Sequence, residues 1–313
     1  MSAGTASIDT AAALQLRSVS YAYPGQSGGV RDVSLAAEPG ALYALIGENG
    51  AGKTTLMRLM LGLLTPTSGE VLVGGAPLRR DPALLASIGS LIETPSLYLH
   101  LTGEEHLRVF AIYYGLGRTA VGRALETVGL GAAAATLVKR YSLGMKQRLG
   151  IATALLHEPA ILVLDEPMNG LDPAGMAELR ELLAGLAARG KTVIVSSHLL
   201  SEVERSASRI AIIHRGALRF EGRPEEFRRS RGSGAGVLLR VADAPAAVLQ
   251  LEAGGHVCAT QGDAVVVRDV PESQVGDLVR ALAAAGHDIR SVETVRPSLE
   301  DEYLALLREA PDA

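Results

Sequence analysis

The chain has 313 residues, 48% of them hydrophobic, which is enough for one large or two ordinary domains with a substantial core. Its formal net charge of −4 argues against a nucleic-acid-binding surface, which is normally basic, so we expect no nucleic-acid partner. The single cysteine, Cys258, excludes an internal disulfide and is typical of a reducing compartment.

Residues 1–13 come first and contain neither the basic stretch nor the apolar stretch of a signal peptide, so we predict a disordered tail there. No apolar run in the chain approaches the ~20 residues that are needed to cross a bilayer. We therefore expect a protein that reaches a membrane only through a partner.

Residues 14–227 alternate between strand-like and helix-like patterns. Apolar runs at 41–46, 160–165 and 191–197 are typical of buried parallel strands, and a helix-like segment follows each of them. Residues 101–157, apart from a break near 131, are predicted to form a mostly helical insertion. This order predicts an α/β fold, in which helices cover a parallel sheet.

Residues 228–236 are rich in Gly, Ser and Arg, which predicts a linker. Residues 237–313 then show a β-α-β-β-α-β order, which predicts a small α+β domain of the ferredoxin-like kind. A closing helix is predicted to begin near Ser298. The predicted strands are 237–241, 256–260, 264–269 and 288–293, and the predicted helices between them are 245–253 and 272–285.

The segment GENGAGKT, directly after the first apolar run, matches the phosphate-binding pattern G-x-x-x-x-G-K-[ST] and precedes a helix. Its glycines allow successive backbone N–H groups to turn towards phosphate, and the helix adds the positive end of its dipole. Lys53 is predicted to reach the β- and γ-phosphates of ATP, and the Thr54 hydroxyl to bind Mg²⁺. The residues of this segment predicted to bind ATP are Gly47, Glu48, Asn49, Gly50, Ala51, Gly52, Lys53, Thr54 and Thr55.

Two carboxylates follow the second apolar run, in the segment ILVLDEP. Asp165 is predicted to hold Mg²⁺, as the second acid of phosphate-loop enzymes does, usually through water. Glu166 lies where the strand meets solvent and phosphate, so it is predicted to act as the catalytic base that polarises the attacking water. The alternative for Glu166 is a solvated charge at a strand end.

The segment YSLGMKQR, residues 141–148, has no catalytic acid, no metal-ligand spacing and no nucleophile with a base beside it. It resembles the signature of the ATP-binding cassette (ABC) family, L-S-G-G-Q followed by Q-R. Ser142 and Gly144 are retained, whereas Leu143 and Met145 replace the family's Gly and Gln. The resemblance implies a RecA-like phosphate-loop NTPase core with a helical subdomain. It also implies that these four residues contact the γ-phosphate held by the phosphate loop of a second subunit.

Other positions match the same family. Asp172, in NGLDP, resembles the acidic position of the D-loop, and His198 resembles the switch histidine that contacts the γ-phosphate. Tyr23 resembles the aromatic residue that stacks on adenine, with Tyr21 as its competitor. Glu93 stands where the family's Q-loop has Gln, and it is expected either to bind Mg²⁺ or simply to face water.

The chain is similar to the bacitracin-type and drug-resistance subfamily of type-2 ABC exporters, strongly over 14–227 and more weakly through the C-terminal domain. The resemblance implies an ATPase that forms a homodimer around Mg·ATP and drives a separate membrane permease. Its place would be the cytoplasmic face of the bacterial plasma membrane, and its cargo a drug, an antibiotic peptide or a lipid-like molecule. Two alternatives stay open: a soluble ABC-type ATPase, and an antibiotic self-protection component that works without a permease. The interval between Lys53 and Ser142 has no heptads, which disfavours the DNA-repair form of the first alternative.

Overall fold

The computed structural model describes residues 12–25, 28–79, 81–230, 236–262, 264–267, 270–295 and 298–309. The chain divides into two compact units, residues 1–222 and residues 223–313. The first unit contains, in chain order, β1 (Leu14–Ala22), β2 (Gly29–Ala37), β3 (Leu42–Ile46), α1 (Lys53–Met60), β4 (Ser68–Val73), β5 (Ala76–Pro77), α2 (Pro82–Leu85), β6 (Ile88–Leu91), α3 (Gly103–Tyr113), α4 (Arg118–Thr127), α5 (Leu143–Leu155), β7 (Ile161–Leu164), α6 (Pro173–Ala188), β8 (Thr192–Ser197), α7 (Leu200–Ser206), β9 (Arg209–His214) and β10 (Ala217–Gly222).

The central sheet of the first unit has the strand order β10-β9-β3-β8-β7-β6, and all its pairings are parallel except that of β9 with β10. The buried strands β3, β7 and β8 are the three apolar runs that the sequence predicts. Because neighbouring parallel strands run in one direction, the segments that follow these three strands meet at one edge of the sheet.

A second sheet, with the order β2-β1-β4-β5, is antiparallel. Its apolar side chains share a core with β3 and α1, in which Leu16, Leu35, Leu45 and Met57 are buried together. The sequence pattern, which predicted alternating strands and helices from residue 14 onwards, did not predict this sheet. The irregular pairing of β1 with β2 is one reason, since the register shifts twice between Leu16 and Tyr21 and interrupts the period-two alternation.

The helices α3, α4 and α5 pack against one another between β6 and β7, where the sequence predicts a helical insertion. The helix α3 begins with a capping box, in which the Thr102 side chain and the Glu105 side chain each bind the other residue's backbone N–H. No helix among the described residues combines the length and the apolar character that crossing a membrane would need.

The second unit begins with a helix and continues with the predicted β-α-β-β-α-β order. Its sheet is antiparallel, and its strands lie in the order β12 (Cys258–Gln261), β13 (Ala264–Val267), β11 (Gly236–Val241) and β14 (Ile289–Val295). Its core includes Leu239, Val265, Leu251 and Leu278. A short 3₁₀ turn occupies the first residues of the helix predicted at 272–285, so the α-helix itself starts later. The elements are α8 (Pro224–Ser230), β11 (Gly236–Val241), α9 (Ala244–Ala253), β12 (Cys258–Gln261), β13 (Ala264–Val267), α10 (Val275–Ala284), β14 (Ile289–Val295) and α11 (Leu299–Glu309).

The structure differs from the predicted domain boundaries at three places. Residues 223–227, predicted to belong to the first domain, fall in the second unit. Ala13, predicted to belong to the disordered tail, donates its backbone N–H to the Ala37 carbonyl at 2.8 Å and extends the pairing of β1. The predicted linker at 228–236 overlaps the last residues of α8, which packs against α11. The sequence around Ala13 and at the end of α8 consists of small or polar residues, so composition alone does not distinguish these segments from loops. Residues 1–11 and 231–235 of these predictions lie outside the described residues.

Candidate active site

The phosphate-loop segment connects β3 to α1, as its sequence predicts. Gly50 and Gly52 have φ angles of +82° and +109°, a region that L-residues with a side chain rarely adopt. Gly47 is constrained by close approach, because a Cβ there would lie 2.5 Å from the Ile213 carbonyl oxygen. Glycine is therefore required at all three positions of the loop for a backbone reason.

Lys53 is buried, and its ammonium group lies inside the loop. The Nζ atom donates to the carbonyl oxygens of Gly47 at 2.7 Å and Glu48 at 3.3 Å. It also lies 3.5 Å from the Glu166 carboxylate. Lys53 is the only positively charged side chain of the loop, and these three oxygens are its partners. Phosphate oxygens could replace them, because they also accept hydrogen bonds from an ammonium group.

Thr54 and Asp165 meet across the gap between α1 and the end of β7. The Thr54 hydroxyl donates to Asp165 Oδ2 at 2.9 Å. A hydroxyl and a carboxylate are hard oxygen donors, which Mg²⁺ prefers. Among the described residues, no cluster of three or more His, Cys, Asp or Glu side chains could hold a metal ion. Since Mg²⁺ is usually held by one or two protein oxygens together with water and substrate phosphates, this pair fits Mg²⁺.

Glu166 follows Asp165 with a φ of +45°, which is uncommon for a residue other than glycine. Its Oε2 atom lies 2.8 Å from Nδ1 of His198, so the structure brings together the two residues that the sequence singled out separately. A carboxylate paired with an imidazole at hydrogen-bond distance can accept a proton from water and can orient that water.

Ser196 is a residue of this site that the sequence reasoning missed. It is fully buried in β8, and its hydroxyl lies between Asp165 and the backbone of Glu166. Its one sequence signal is its position two residues before His198, which itself falls just beyond the end of β8.

Glu93 has a positive φ of +66°, and its Oε1 atom accepts a hydrogen bond from Nη2 of Arg58 at 2.6 Å. The structure therefore places the Glu93 carboxylate on Arg58 and gives it no contact with Thr54. Hydrogen bonds to Tyr23 and to Glu93 raise the pKa of Arg58. Arg58 was also missed, and nothing in its local spacing indicated the pairing.

Tyr23 lies beside the start of α1, where its hydroxyl is 3.3 Å from Oγ1 of Thr55. Its ring makes an edge-on contact with Tyr21, whose own ring packs against the core. Of the two tyrosines, Tyr23 therefore lies close to the phosphate loop, whereas the ring of Tyr21 packs against the core.

The signature-like residues start α5, where Ser142 is the N-cap and accepts a hydrogen bond from the Met145 backbone N–H at 3.2 Å. A Cβ at Gly144 would make only ordinary contacts, at 3.9 Å from Cδ2 of Leu171 and 4.0 Å from Oγ of Ser142. Leu143 is half exposed, and its side chain approaches Gly170, at which a Cβ would lie only 3.2 Å away. Asp172 caps α6 in the same way as Ser142 caps α5, through the Gly175 backbone N–H at 2.9 Å.

A groove of about 550 Å³ lies between these regions. Its lining includes Glu93, Leu143, Asp165 and Glu166. The groove is therefore bordered both by the start of α5, with its signature-like residues, and by the two carboxylates that follow β7. The phosphate loop lies at the same edge of the sheet.

Comparison with known proteins supports this interpretation of the geometry. Residues 30–169 match the family model described as ABC transporter. The chain is 39% identical to the bacitracin transport ATP-binding protein BcrA of Enterococcus faecalis, over 90% of this chain and 92% of that protein. It is 37% identical to the protein of the same name from Bacillus licheniformis, over 90% and 94%. It is also 42% identical to the lantibiotic transport ATP-binding protein SrtF of Streptococcus pyogenes, over 66% and 90%.

Solved structures show the same fold. One, an ATP-binding subunit of an ABC transporter, superposes with a TM-score of 0.62 at 34% identity, over 70% of this chain and 93% of that chain. Another is a dimeric ATP-binding cassette in a post-hydrolysis state, bound to ADP and Pi, with a TM-score of 0.59 at 25% identity, over 67% and 98%. The chain therefore belongs to the ABC transporter family as an ATP-binding subunit, and it is an ATPase.

Proposed function

We propose that two copies of this chain close around two Mg·ATP and thereby drive a separate membrane permease that exports an antibiotic peptide, or a related drug or lipid-like molecule. The observation that carries this proposal is the extent of the similarity. The bacitracin transport proteins match 90% of the chain and so reach well into the second unit, whereas the lantibiotic transport protein matches 66%. The subunit would work at the cytoplasmic face of the bacterial plasma membrane, held there by its permease.

Lys53 and the backbone of the phosphate loop bind the phosphates of ATP in this proposal. Lys53 is satisfied by two loop carbonyls and Glu166 in the structure, and phosphate oxygens would replace some of these partners. The N–H groups at the start of α1 face the same place, which is a general anion-binding arrangement. Releasing Glu166 from Lys53 would leave the carboxylate free to take its catalytic role.

Thr54 and Asp165 would hold Mg²⁺ through Thr54 Oγ1 and Asp165 Oδ2, which already face each other. When bound, the ion supplies positive charge that neutralises the β- and γ-phosphates.

Glu166 accepts a hydrogen bond from the attacking water and takes its proton as the water oxygen bonds to the γ-phosphorus and the bond to ADP breaks. His198 holds the Glu166 side chain through the 2.8 Å contact, and we propose that it also contacts the γ-phosphate. A positioned base of this kind typically supplies about 10²–10⁴-fold in rate.

Ser142, Leu143, Gly144 and Met145 form the other half of the site, at the N-terminus of α5. We propose that this helix start faces the γ-phosphate held by the second copy, with Asp172 at the same interface. Tyr23 would stack on the adenine. ATP then joins the two half-sites, and its γ-phosphate is the contact that favours the closed pair over the open one.

Glu93 and the groove beside it form the proposed link to the permease and to Mg²⁺. Glu93 lines the groove together with Asp165 and Glu166, so a partner seated near it would lie close to the hydrolysis residues. We propose that this loop and the helices α3 to α5 make the coupling surface.

A tagged pull-down from detergent-solubilised native membranes, with partners identified by mass spectrometry, tests the proposal. A matched preparation that carries only the tag is the control. We expect a multi-span membrane protein to be recovered with the chain. If the chain stayed in the soluble fraction without such a partner, the permease-driving function would be wrong, and a soluble ATPase or a self-protection component would be favoured.

A further inference from the structure

Ser196 lies in the central sheet next to Asp165 and Glu166, the two carboxylate residues of the site. It lies on β8, paired with Leu45 of β3 on one side, while the neighbouring Val195 pairs with Leu164 of β7 on the other. Its side chain has no exposed surface. A hydroxyl at such a position must find partners inside the protein, because a buried polar group without one is costly.

Both partners of the Ser196 hydroxyl belong to the hydrolysis site. The oxygen donates to Oδ1 of Asp165 at 2.5 Å and accepts the backbone N–H of Glu166 at 2.7 Å. The directions of these bonds are fixed, since an ionised carboxylate only accepts and a backbone N–H only donates. The Ser196 side chain is thus bonded both to Asp165, the proposed Mg²⁺ ligand, and to Glu166, the proposed catalytic base.

The bond to Asp165 determines which way this carboxylate faces. Ser196 occupies Oδ1, and Oδ2 is thereby directed towards the Thr54 hydroxyl at 2.9 Å. Outer partners of this kind orient metal-binding carboxylates, and their loss typically costs about 10–100-fold in metal affinity or activity.

The bond to Glu166 acts on the backbone. A φ of +45° is unfavourable for a residue with a Cβ and persists only where the surroundings hold it. The Ser196 hydroxyl binds the N–H of this residue, while His198, two positions further along the same segment, binds its carboxylate. The end of β8 therefore fixes Glu166 at both its backbone and its side chain.

We propose that Ser196 is a positioning residue for hydrolysis: its hydroxyl directs Asp165 Oδ2 towards the metal-binding position and holds Glu166 in the backbone conformation that points its carboxylate at His198. Ser196 acts only through these two residues and touches no substrate. The inference rests on the roles proposed above for Asp165 and Glu166, but it is independent of which permease or cargo is served.

The test compares Ser196→Ala with Ser196→Thr, which keeps the hydroxyl, and with Ser197→Ala as the matched control. Ser197 is the next residue, and its hydroxyl accepts from the Leu199 backbone N–H, away from both carboxylates. Three quantities are measured on the full-length chain: kcat and KM for ATP, the Mg²⁺ concentration that half-saturates tight binding of a fluorescent non-hydrolysable ATP analogue, and the thermal midpoint.

For Ser196→Ala we expect kcat to fall about 10–100-fold and the half-saturating Mg²⁺ concentration to rise. KM for ATP and Mg²⁺-free analogue binding should stay within about twofold, because the phosphate loop is unchanged. Ser196→Thr should recover at least part of kcat and of the Mg²⁺ dependence, and Ser197→Ala should behave as wild type.

Two results would overturn the proposal. One is a Ser196→Ala variant whose kcat and Mg²⁺ dependence match those of Ser197→Ala. The other is a variant that loses Mg²⁺-free analogue binding and thermal stability together, since the role would then be structural. A failure of the permease-driving function would show in the membrane pull-down and would leave this comparison readable, because analogue binding requires no partner.

Discussion

Glu93 stands where the resemblance leads us to expect the Gln of the Q-loop, and its contacts suggest what a carboxylate does there. The Glu93 carboxylate is hydrogen-bonded to Arg58. The interactions of Arg58 with Tyr23, the proposed adenine contact, and with Glu93 both raise the pKa of Arg58. Glutamine could accept a hydrogen bond from Arg58 but would carry no charge to pair with it. A carboxylate at this position therefore connects the loop to α1 electrostatically, in a way that the usual amide does not.

Glu93→Ala should change the chemistry of the chain more than its stability. The ion pair with Arg58 is largely exposed, so its loss is expected to cost no more than about 1 kcal/mol of unfolding free energy. If Glu93 serves Mg²⁺ or coupling, the half-saturating Mg²⁺ concentration for hydrolysis should rise, or transport should fall.

The matched control for this variant is Glu70→Ala, which removes a comparably exposed ion pair with Arg17. Mg²⁺ titrations of ATPase activity, together with thermal denaturation of both variants, give the comparison. Unchanged Mg²⁺ dependence, hydrolysis and transport in Glu93→Ala would mean that Glu93 only faces water.

At the scale of elements, the helix α5 combines a structural cap with the proposed half-site. Ser142 caps α5 within its own chain, and a Cβ at Gly144 would make only ordinary contacts with Leu171 and Ser142. The side chain of Leu143, which replaces the family's glycine, is accommodated by Gly170 in the loop after β7. The start of α5 is therefore in contact with the loop that follows the catalytic strand, so a shift in one requires an adjustment of the other.

Ser142 variants can separate the cap from the half-site. Ser142→Ala removes the bond to the Met145 N–H and should cost about 1 kcal/mol, whereas Ser142→Asp keeps a good cap and should retain stability. Both should lower ATPase activity strongly, because neither presents a hydroxyl to phosphate and Asp adds a repelling charge.

Thr102→Ala is the control, since it removes the N-cap of α3 with no proposed role in hydrolysis. It should lose stability as Ser142→Ala does but keep its activity. Thermal midpoints and steady-state ATPase rates of the three variants are measured under the same conditions. An active Ser142→Asp variant would contradict the proposed contact of Ser142 with the γ-phosphate.

The helices α3 and α5 are also joined by a buried histidine. His106 is 1% exposed, and its Nε2 atom lies 3.3 Å from the Thr153 hydroxyl of α5. Burial lowers the pKa of His106 to about 4. The ring is therefore neutral in the folded chain at neutral pH and belongs to the packing of the helical insertion.

The depressed pKa of His106 predicts acid sensitivity. The unfolded chain binds the proton near pH 6.5 and the folded chain only near pH 4, so between these values the unfolded state holds more protons. Stability should be fully present above about pH 6.5 and should fall as the pH drops towards 4, by at most about 1.4 kcal/mol per pH unit for this group.

His106→Gln, which keeps hydrogen-bonding capacity without titrating, should flatten this dependence, whereas His100→Gln at an exposed position should not. Thermal midpoints by circular dichroism at about pH 5.0 and 6.0, within the window in which His106 titrates, and at about pH 7.5, above that window, give the slopes. Equal slopes for wild type and His106→Gln would contradict the prediction.

At the scale of the whole molecule, we propose that the two halves of a complete site on one nucleotide come from two different copies. The phosphate loop and the two carboxylates form one half, and the start of α5 forms the other. A head-to-tail pair places each half opposite the complementary half of the other copy, which makes a closed, two-fold arrangement.

Glu166→Gln should trap this pair. The amide cannot take the proton from water, so hydrolysis should fall by about 10²–10⁴-fold while ATP still joins the half-sites. With Mg·ATP, the mass seen by light scattering should double from the 32.6 kDa of the single chain. Glu181→Gln, an exposed position on α6, serves as the control. A Glu166→Gln variant that binds ATP but stays at the mass of one chain would argue against a homodimeric sandwich.

The sequence by itself determined the parts of the site whose residues are neighbours in the chain. The phosphate loop, the pair Asp165–Glu166 and the strand–helix pattern around them follow from local spacing, because backbone angles and strand burial impose the residue types directly. The order of elements in the second unit was readable for the same reason.

Only the tertiary structure decided the contacts between segments far apart in the chain. The bonds of Ser196 to Asp165 and Glu166 depend on the register of β8 against β7, and the pairing of Glu93 with Arg58 depends on where a loop crosses α1. The antiparallel sheet of β1, β2, β4 and β5 likewise depends on pairings that no local period records. Such contacts are set by the packing of a shared core, which is a property of the folded chain and not of any one segment.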